Sequence, residues 1–159
     1  MSFRLEEREP GWCADAPIRI QHELRLPAAP ARVFEVLADS PGWTRWFKGM
    51  RRVRVDGAAS GVGALRTVWV GPTTVQEHFT EWEEDRRIAF HVVRSNSPGL
   101  RAMVEDYDLS PDGEGTRLVI TVGIEAKGPF RSVPGVVRFV VGHLSGGVLG
   151  ITSMFPAAS

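Results

Sequence analysis

Residues 132–155 read SVPGVVRFVVGHLSGGVLGITSMF. Val137, Val141, Leu144, Val148, Ile151 and Phe155 follow one another at steps of four, three, four, three and four, which draws one apolar stripe down a helix. Arg138, Gly142, Ser145 and Thr152 fall on the opposite side. Pro134 suits a first helical turn, where its missing N–H costs nothing. The spacing predicts one long helix whose stripe, from Val137 to Ile151, lies on a sheet. A membrane span competes with this reading. Arg138 and His143 are the only ionisable groups in the segment, and Gly142, Gly146 and Gly150 recur every four residues. The five glycines of the segment and its polar side disfavour the span.

The 159 residues suit one domain with a sizeable core. Charge is balanced at 19 basic and 19 acidic side chains, so no electrostatic footprint for nucleic acid is present. Arg51, Arg52 and Arg54 form one dense basic cluster, which a solvated strand face explains. Cys13 is the only cysteine, so an internal disulfide is excluded. MSFRLEEREP has no apolar run of the kind a secretory signal needs, and the cytoplasm is the expected compartment. High Ala, Gly, Arg and Val usage suggests a GC-rich bacterial gene. Residues 1–16 show no period and are read as a flexible leader, with Trp12 tucked against the body. Residues 17–159 are read as the single domain.

Between leader and helix the pattern is mostly strands. Ile18, Ile20, His22, Leu24 and Leu26 share one face of Ile18–Leu26, and charged residues share the other. PAAP at 27–30 breaks that strand and opens a helix buried through Val33, Phe34 and Leu37; Asp39-Ser40-Pro41 stops it. PGWTRWFK at 41–48 reads as a second short helix. After Gly49, turn signals every eight to twelve residues separate six strands, near 50–55, 64–70, 74–82, 87–93, 103–109 and 117–126. Tight turns between consecutive strands imply an antiparallel meander.

This order, with PAAPARVFEVLADSPGWTRWF, GVGALR, FTEWEEDRRIAF and YDLSPDGEGTRLVIT followed by the closing helix, resembles the START-like, helix-grip (SRPBCC) superfamily. The nearest group is the polyketide cyclase/dehydrase and lipid-transport proteins. The resemblance covers about residues 18–155. It implies an α+β fold in which a curved seven-stranded antiparallel sheet grips the last helix around a cavity. It does not choose a reaction, because the fold serves aromatase/cyclases, lipid carriers, hormone receptors and co-chaperones alike.

Strand parity assigns side chains to that cavity. The inward sets are Val75, Glu77 and Phe79; Ile88, Phe90 and Val92; Met103, Glu105, Tyr107 and Leu109; and Leu118, Ile120, Val122 and Ile124. On 64–70 parity is open between Leu65, Thr67 and Trp69 and the opposite face. Ligand contact is expected from His22, Trp43, Trp46, Phe47, Trp69, Glu77, Phe79, Phe90, Met103, Ile120, Val141, Leu144 and Val148. Glu105 and Tyr107 are the candidate acid–base pair, since desolvation raises a carboxylate's pKa. Either glutamate could instead pair with an arginine such as Arg66 or Arg101. Trp43, Trp46 and Phe47, beside the glycine-rich connector 57–63, are expected to surround the cavity mouth.

Other chemistries find no motif. Nucleophile elbows and phosphate loops are missing, and His22, His78, His91 and His143 lack metal spacing. No cofactor and no metal are expected. Two classes remain. One is a binding module for a hydrophobic small molecule, lipid or polyketide-like. The other is a cofactor-free polyketide cyclase or aromatase. The absence of an arginine from the firm cavity parity favours the first. A partner-binding domain is disfavoured because no large charged or apolar outer face is evident. The sequence leaves monomer and homodimer open.

Overall fold

The computed structural model of the protein describes residues 1–157. In chain order its elements are β1 (Phe3–Arg4), β2 (Ile18–Leu26), α1 (Pro30–Ala38), α2 (Trp43–Trp46), β3 (Met50–Val55), β4 (Leu65–Val70), β5 (Thr73–Glu83), β6 (Arg87–Ser95), β7 (Leu100–Asp112), β8 (Gly115–Ala126) and α3 (Pro134–Ser145). The sheet runs β2-β8-β7-β6-β5-β4-β3, antiparallel at every step, and β1 adds to β6. These seven main strands, two helices after the first of them and a closing helix make the helix-grip fold.

Parity follows the apolar alternation. Ile88, Phe90 and Val92 point inward on β6, as do Leu118, Ile120, Val122 and Ile124 on β8, and all are buried. Val33, Phe34 and Leu37 plug one end of the sheet from α1. The Trp43 indole N–H donates to the Leu37 carbonyl at 2.9 Å, which ties α2 to α1.

The closing helix departs from its sequence reading. Only Pro134–Ser145 is α-helical, and Gly146–Met154 continues as 3-10 turns. The cause is close backbone approach. A Cβ on Gly147 would overlap the Lys48 carbonyl and the Phe47 ring, and one on Gly150 would overlap the Trp46 carbonyl. Glycine lets α2 come this near, and the Lys48 N–H donates to the Gly147 carbonyl at 3.0 Å. The stripe divides accordingly. Val148, Ile151 and Phe155 are buried against the core, whereas Val137, Val141 and Leu144 are only half-buried. Ile151→Ala is therefore expected to cost about 2–5 kcal/mol in urea unfolding, and Leu144→Ala less than half as much. Equal costs at the two sites would refute this division of the stripe.

The leader is not loose. β1 pairs with β6, the Leu5 N–H donates to the Val93 carbonyl at 3.0 Å, and the 3-10 turn Pro10–Ala14 lies across the outer face of β7 and β8. Leu5, Pro10 and Cys13 are buried there, and Trp12 is half-buried under the Arg8 guanidinium. Gly123 leaves the room that Cys13 fills. Three apolar anchors without a period suffice to dock a short segment but leave no pattern in the sequence.

Candidate functional site

A cavity of about 440 Å³ opens between the sheet and α3. Its walls are apolar: Val68 and Val70 from β4, Val75 from β5, Leu100 and Met103 from β7, and Val137, Val141 and Leu144 from α3. Trp43, Phe47 and Met50 close its inner end. Glu77, Glu105 and Ser145 are its polar groups away from the rim.

Beneath the inner end lies a buried charge cluster built on Arg66. β4 places Arg66, Val68 and Val70 inward and Thr67 and Trp69 outward. Arg66 is 1 % exposed. Its Nε donates to Glu77 at 2.5 Å and its Nη1 to the Ser40 hydroxyl at 3.2 Å. Its guanidinium lies 3.9 Å from the centroid of the Trp43 ring, with Phe79 and Phe90 at 5.0 and 5.3 Å. Nη2 has no protein partner. Tyr107 is also 1 % exposed and donates its hydroxyl to Glu105 at 2.7 Å, held against Trp43 and Phe90.

One guanidinium serves two buried carboxylates, so the cluster is neutral only with one proton on it. Burial pushes Glu77 up, and the adjoining Arg66 charge opposes that rise. Glu105 lacks direct contact with the guanidinium. Burial, then the Glu77 charge, push it up to about 7, against the Tyr107 hydrogen bond and Arg66. Burial and the neighbouring Glu105 push the Tyr107 hydroxyl well above its ordinary value, so it stays a donor. The cavity thus ends in a carboxyl group that changes charge near neutrality.

The structure brings Trp43, Phe47, Glu77, Met103, Glu105, Val141 and Leu144 together on the cavity wall. It sets others elsewhere. Phe79, Phe90, Ile120 and Val148 pack behind the wall in the core, as does Trp46. Tyr107 acts through Glu105 and does not line the cavity. His22 meets the cavity only through Ser145, whose hydroxyl lies 3.2 Å from its Nε2, and burial holds its pKa down. Trp69 lies outside the sheet, its ring beside the guanidinium groups of Arg52 and Arg54 at 4.8 and 5.6 Å. Thr67 shares that outer face, where it donates to Asp56.

The structure resolves one open sequence reading and corrects another. Arg66 is an interior arginine, hidden by the even parity of Leu65–Val70, where both faces carry apolar residues. Pairing of a glutamate with Arg66, one of the alternatives the sequence left open, is the arrangement found, with Glu77 directly across in the β4–β5 register. The mouth is also misplaced by the sequence reading. Connector 57–63 takes no part in the cavity lining, and Trp43 and Phe47 close the inner end. The opening lies at the other end of the strands, between the turns Pro72–Thr73 and Asn96–Gly99 and the helix side chains Phe130, Val136 and Val140.

Comparison with known proteins agrees with this architecture. The family profile described as "Polyketide cyclase / dehydrase and lipid transport" matches residues 17–150. An uncharacterized protein of Mycobacterium tuberculosis is 31% identical over 125 residues, covering 77% of this chain and 75% of that protein. The Zhui aromatase/cyclase from Streptomyces sp. R1128 is similar in structure, with a TM-score of 0.69 at 20% identity over 86% of this chain and 93% of the other. A START superfamily protein from Mycobacterium smegmatis matches with a TM-score of 0.68 at 12% identity, over 86% and 97%. The match across nearly all of the sheet and α3 assigns the chain: it belongs to the polyketide cyclase/dehydrase and lipid transport family.

Proposed function

We propose that this protein binds a hydrophobic small molecule, lipid or polyketide-like, in the cavity between sheet and α3. The observation that carries this reading is the make-up of the cavity. It has the size of a small-molecule site, its walls are almost wholly apolar, and its few polar groups gather at the inner end. A ligand that fits has an apolar body toward the mouth and a carbonyl or hydroxyl toward Glu105. The carboxyl donates to that oxygen when protonated.

Native mass spectrometry of freshly purified protein tests the proposal, with a co-purifying apolar adduct as the expected result. An apolar probe should also change the emission of Trp43, which lines the cavity. The experiment uses a Trp69→Phe variant, which removes an indole on the outer face. A bare protein mass together with unchanged emission at saturating probe would sink the reading.

The second reading, a cofactor-free cyclase or aromatase, gains from the interior. The arginine whose absence counted against it is present, and Glu105 sits near neutrality beside a phenol. We place it second because Arg66 lies behind the wall, engaged by Glu77 and Ser40, and so offers no clamp to a substrate in this arrangement.

A further inference from the structure

The sequence offered no apolar outer face, but the structure has one. Phe139 is 76% exposed, Val136 59%, Val140 48%, Val133 43% and Phe130 42%. Val136, Phe139 and Val140 stand at helical spacing and form one side of α3, with Phe130 and Val133 continuing it. α3 is therefore apolar on two sides. Val137, Val141 and Leu144 face the cavity, and this second side faces outward. The run Pro134–Met154 is long and apolar enough to cross a membrane, yet only 28% of its most apolar window is buried. A core helix of this composition would be mostly covered.

Charge is distributed unevenly around this face. The chain as a whole is neutral, but after Glu125 it carries Lys127, Arg131 and Arg138 and no Asp or Glu. Arg138 reaches back to the free edge of β2, where it donates to the Arg19 carbonyl at 2.7 Å. A second copy seated on this face through the same segment brings no acidic side chain from that segment to meet these cations. An anionic lipid surface satisfies both features, because apolar side chains enter the acyl boundary while cations reach phosphates.

We propose that the exposed side of α3, with the turn before it, docks on anionic lipid surfaces. Docking stands on this face alone. Its use is a separate matter that rests on ligand binding: Phe130, Val136 and Val140 belong both to the face and to the cavity mouth. A docked molecule turns its mouth to the bilayer, and an apolar ligand passes between the two without crossing water. Val148 and Ile151 remain in the core, so the helix lies on the surface and does not span it.

The test is co-sedimentation of the full chain with phosphatidylcholine vesicles, with and without phosphatidylglycerol. Two cations near such a surface, Lys127 and Arg131, predict binding about thirtyfold tighter to the anionic vesicles, reversed by salt. Phe139→Asp should abolish sedimentation while leaving the melting curve unchanged, since that side chain is mostly exposed. Lys127→Glu with Arg131→Glu should remove the preference for anionic vesicles without touching the apolar face. Equal sedimentation with both vesicle types, or none with either, overturns the proposal. So does a stable dimer that Phe139→Asp dissociates, which would make a second copy the occupant. Sedimentation by a protein that never carries a ligand upholds docking and removes only its role in loading.

Discussion

Arg66→Met is expected to destabilise the domain by about 3–5 kcal/mol, the cost of leaving a buried charge without its partner. The substitution keeps much of the volume between Trp43, Phe79 and Phe90 but strands Glu77 and Glu105 with no cation. Arg66 holds both carboxylates down, so both rise further in the variant. A carboxylate raised in the folded state binds more protons folded than unfolded, and stability then falls as pH rises. The loss should therefore be smaller at pH 5 than at pH 8. Arg66→Met combined with Glu77→Leu should recover part of it, because the pair is coupled by direct contact. Urea unfolding at the two pH values measures all of this. A loss below about 1 kcal/mol at pH 8 would mean that water reaches the cluster and screens the two carboxylates.

The same cluster shows where the sequence could be read and where it could not. On β6 from Ile88 to Val92 and on β8 from Leu118 to Ile124 the inward positions are apolar, so parity alone gave the correct face. β4 reads Leu-Arg-Thr-Val-Trp-Val, and both faces hold apolar residues. Only the partner strand resolves it: Glu77 inside calls for Arg66, while Asp56 outside takes Thr67 and Gln76. Glu105 and Tyr107 were legible as a same-face pair, but the direction of their hydrogen bond was not. That bond makes Tyr107 a positioning residue for Glu105. The closing helix was legible as a stripe. Its change of pitch was not, because Gly147 and Gly150 answer to the backbone of α2, which lies a hundred residues away in the chain. Flexible-looking glycines in 57–63 drew the mouth to the wrong end. The true opening depends on which strand turns α3 fails to cover, a property of packing with no local sign.

Glu105→Gln should stabilise the protein at pH 8 and separate the two functional readings. Glu105 is raised from an ordinary 4.5 to about 7. Wild-type stability should therefore fall as pH rises from about 4.5 to about 7 and level off above that window. The full penalty is about 3 kcal/mol for a completely buried group. Glutamine keeps the shape and still accepts the Tyr107 hydroxyl, but it cannot ionise. The variant should match wild type at low pH, exceed it by up to about 3 kcal/mol at pH 8, and keep only the part of the slope that Glu77 contributes. Ligand behaviour should change with it. In a carrier, wild-type affinity weakens above pH 7, because an apolar ligand must then cover a charge, and the Gln variant binds as well or better. In a cyclase that uses Glu105 as its base, turnover instead rises through pH 7, and Glu105→Gln lowers it by about two to four orders of magnitude. Tyr107→Phe should raise Glu105 further through loss of the bond that holds it down, and so move the pH midpoint upward and lower stability at pH 8 without removing a ligand contact. The carrier outcome is the expected one, since the other polar groups on the cavity wall away from its rim are engaged, Glu77 by Arg66 and Ser145 by His22 and the Gly142 carbonyl. A polyketide chain whose product pattern changes in the Glu105→Gln variant, with a rate that climbs through pH 7 in wild type, would reverse that choice.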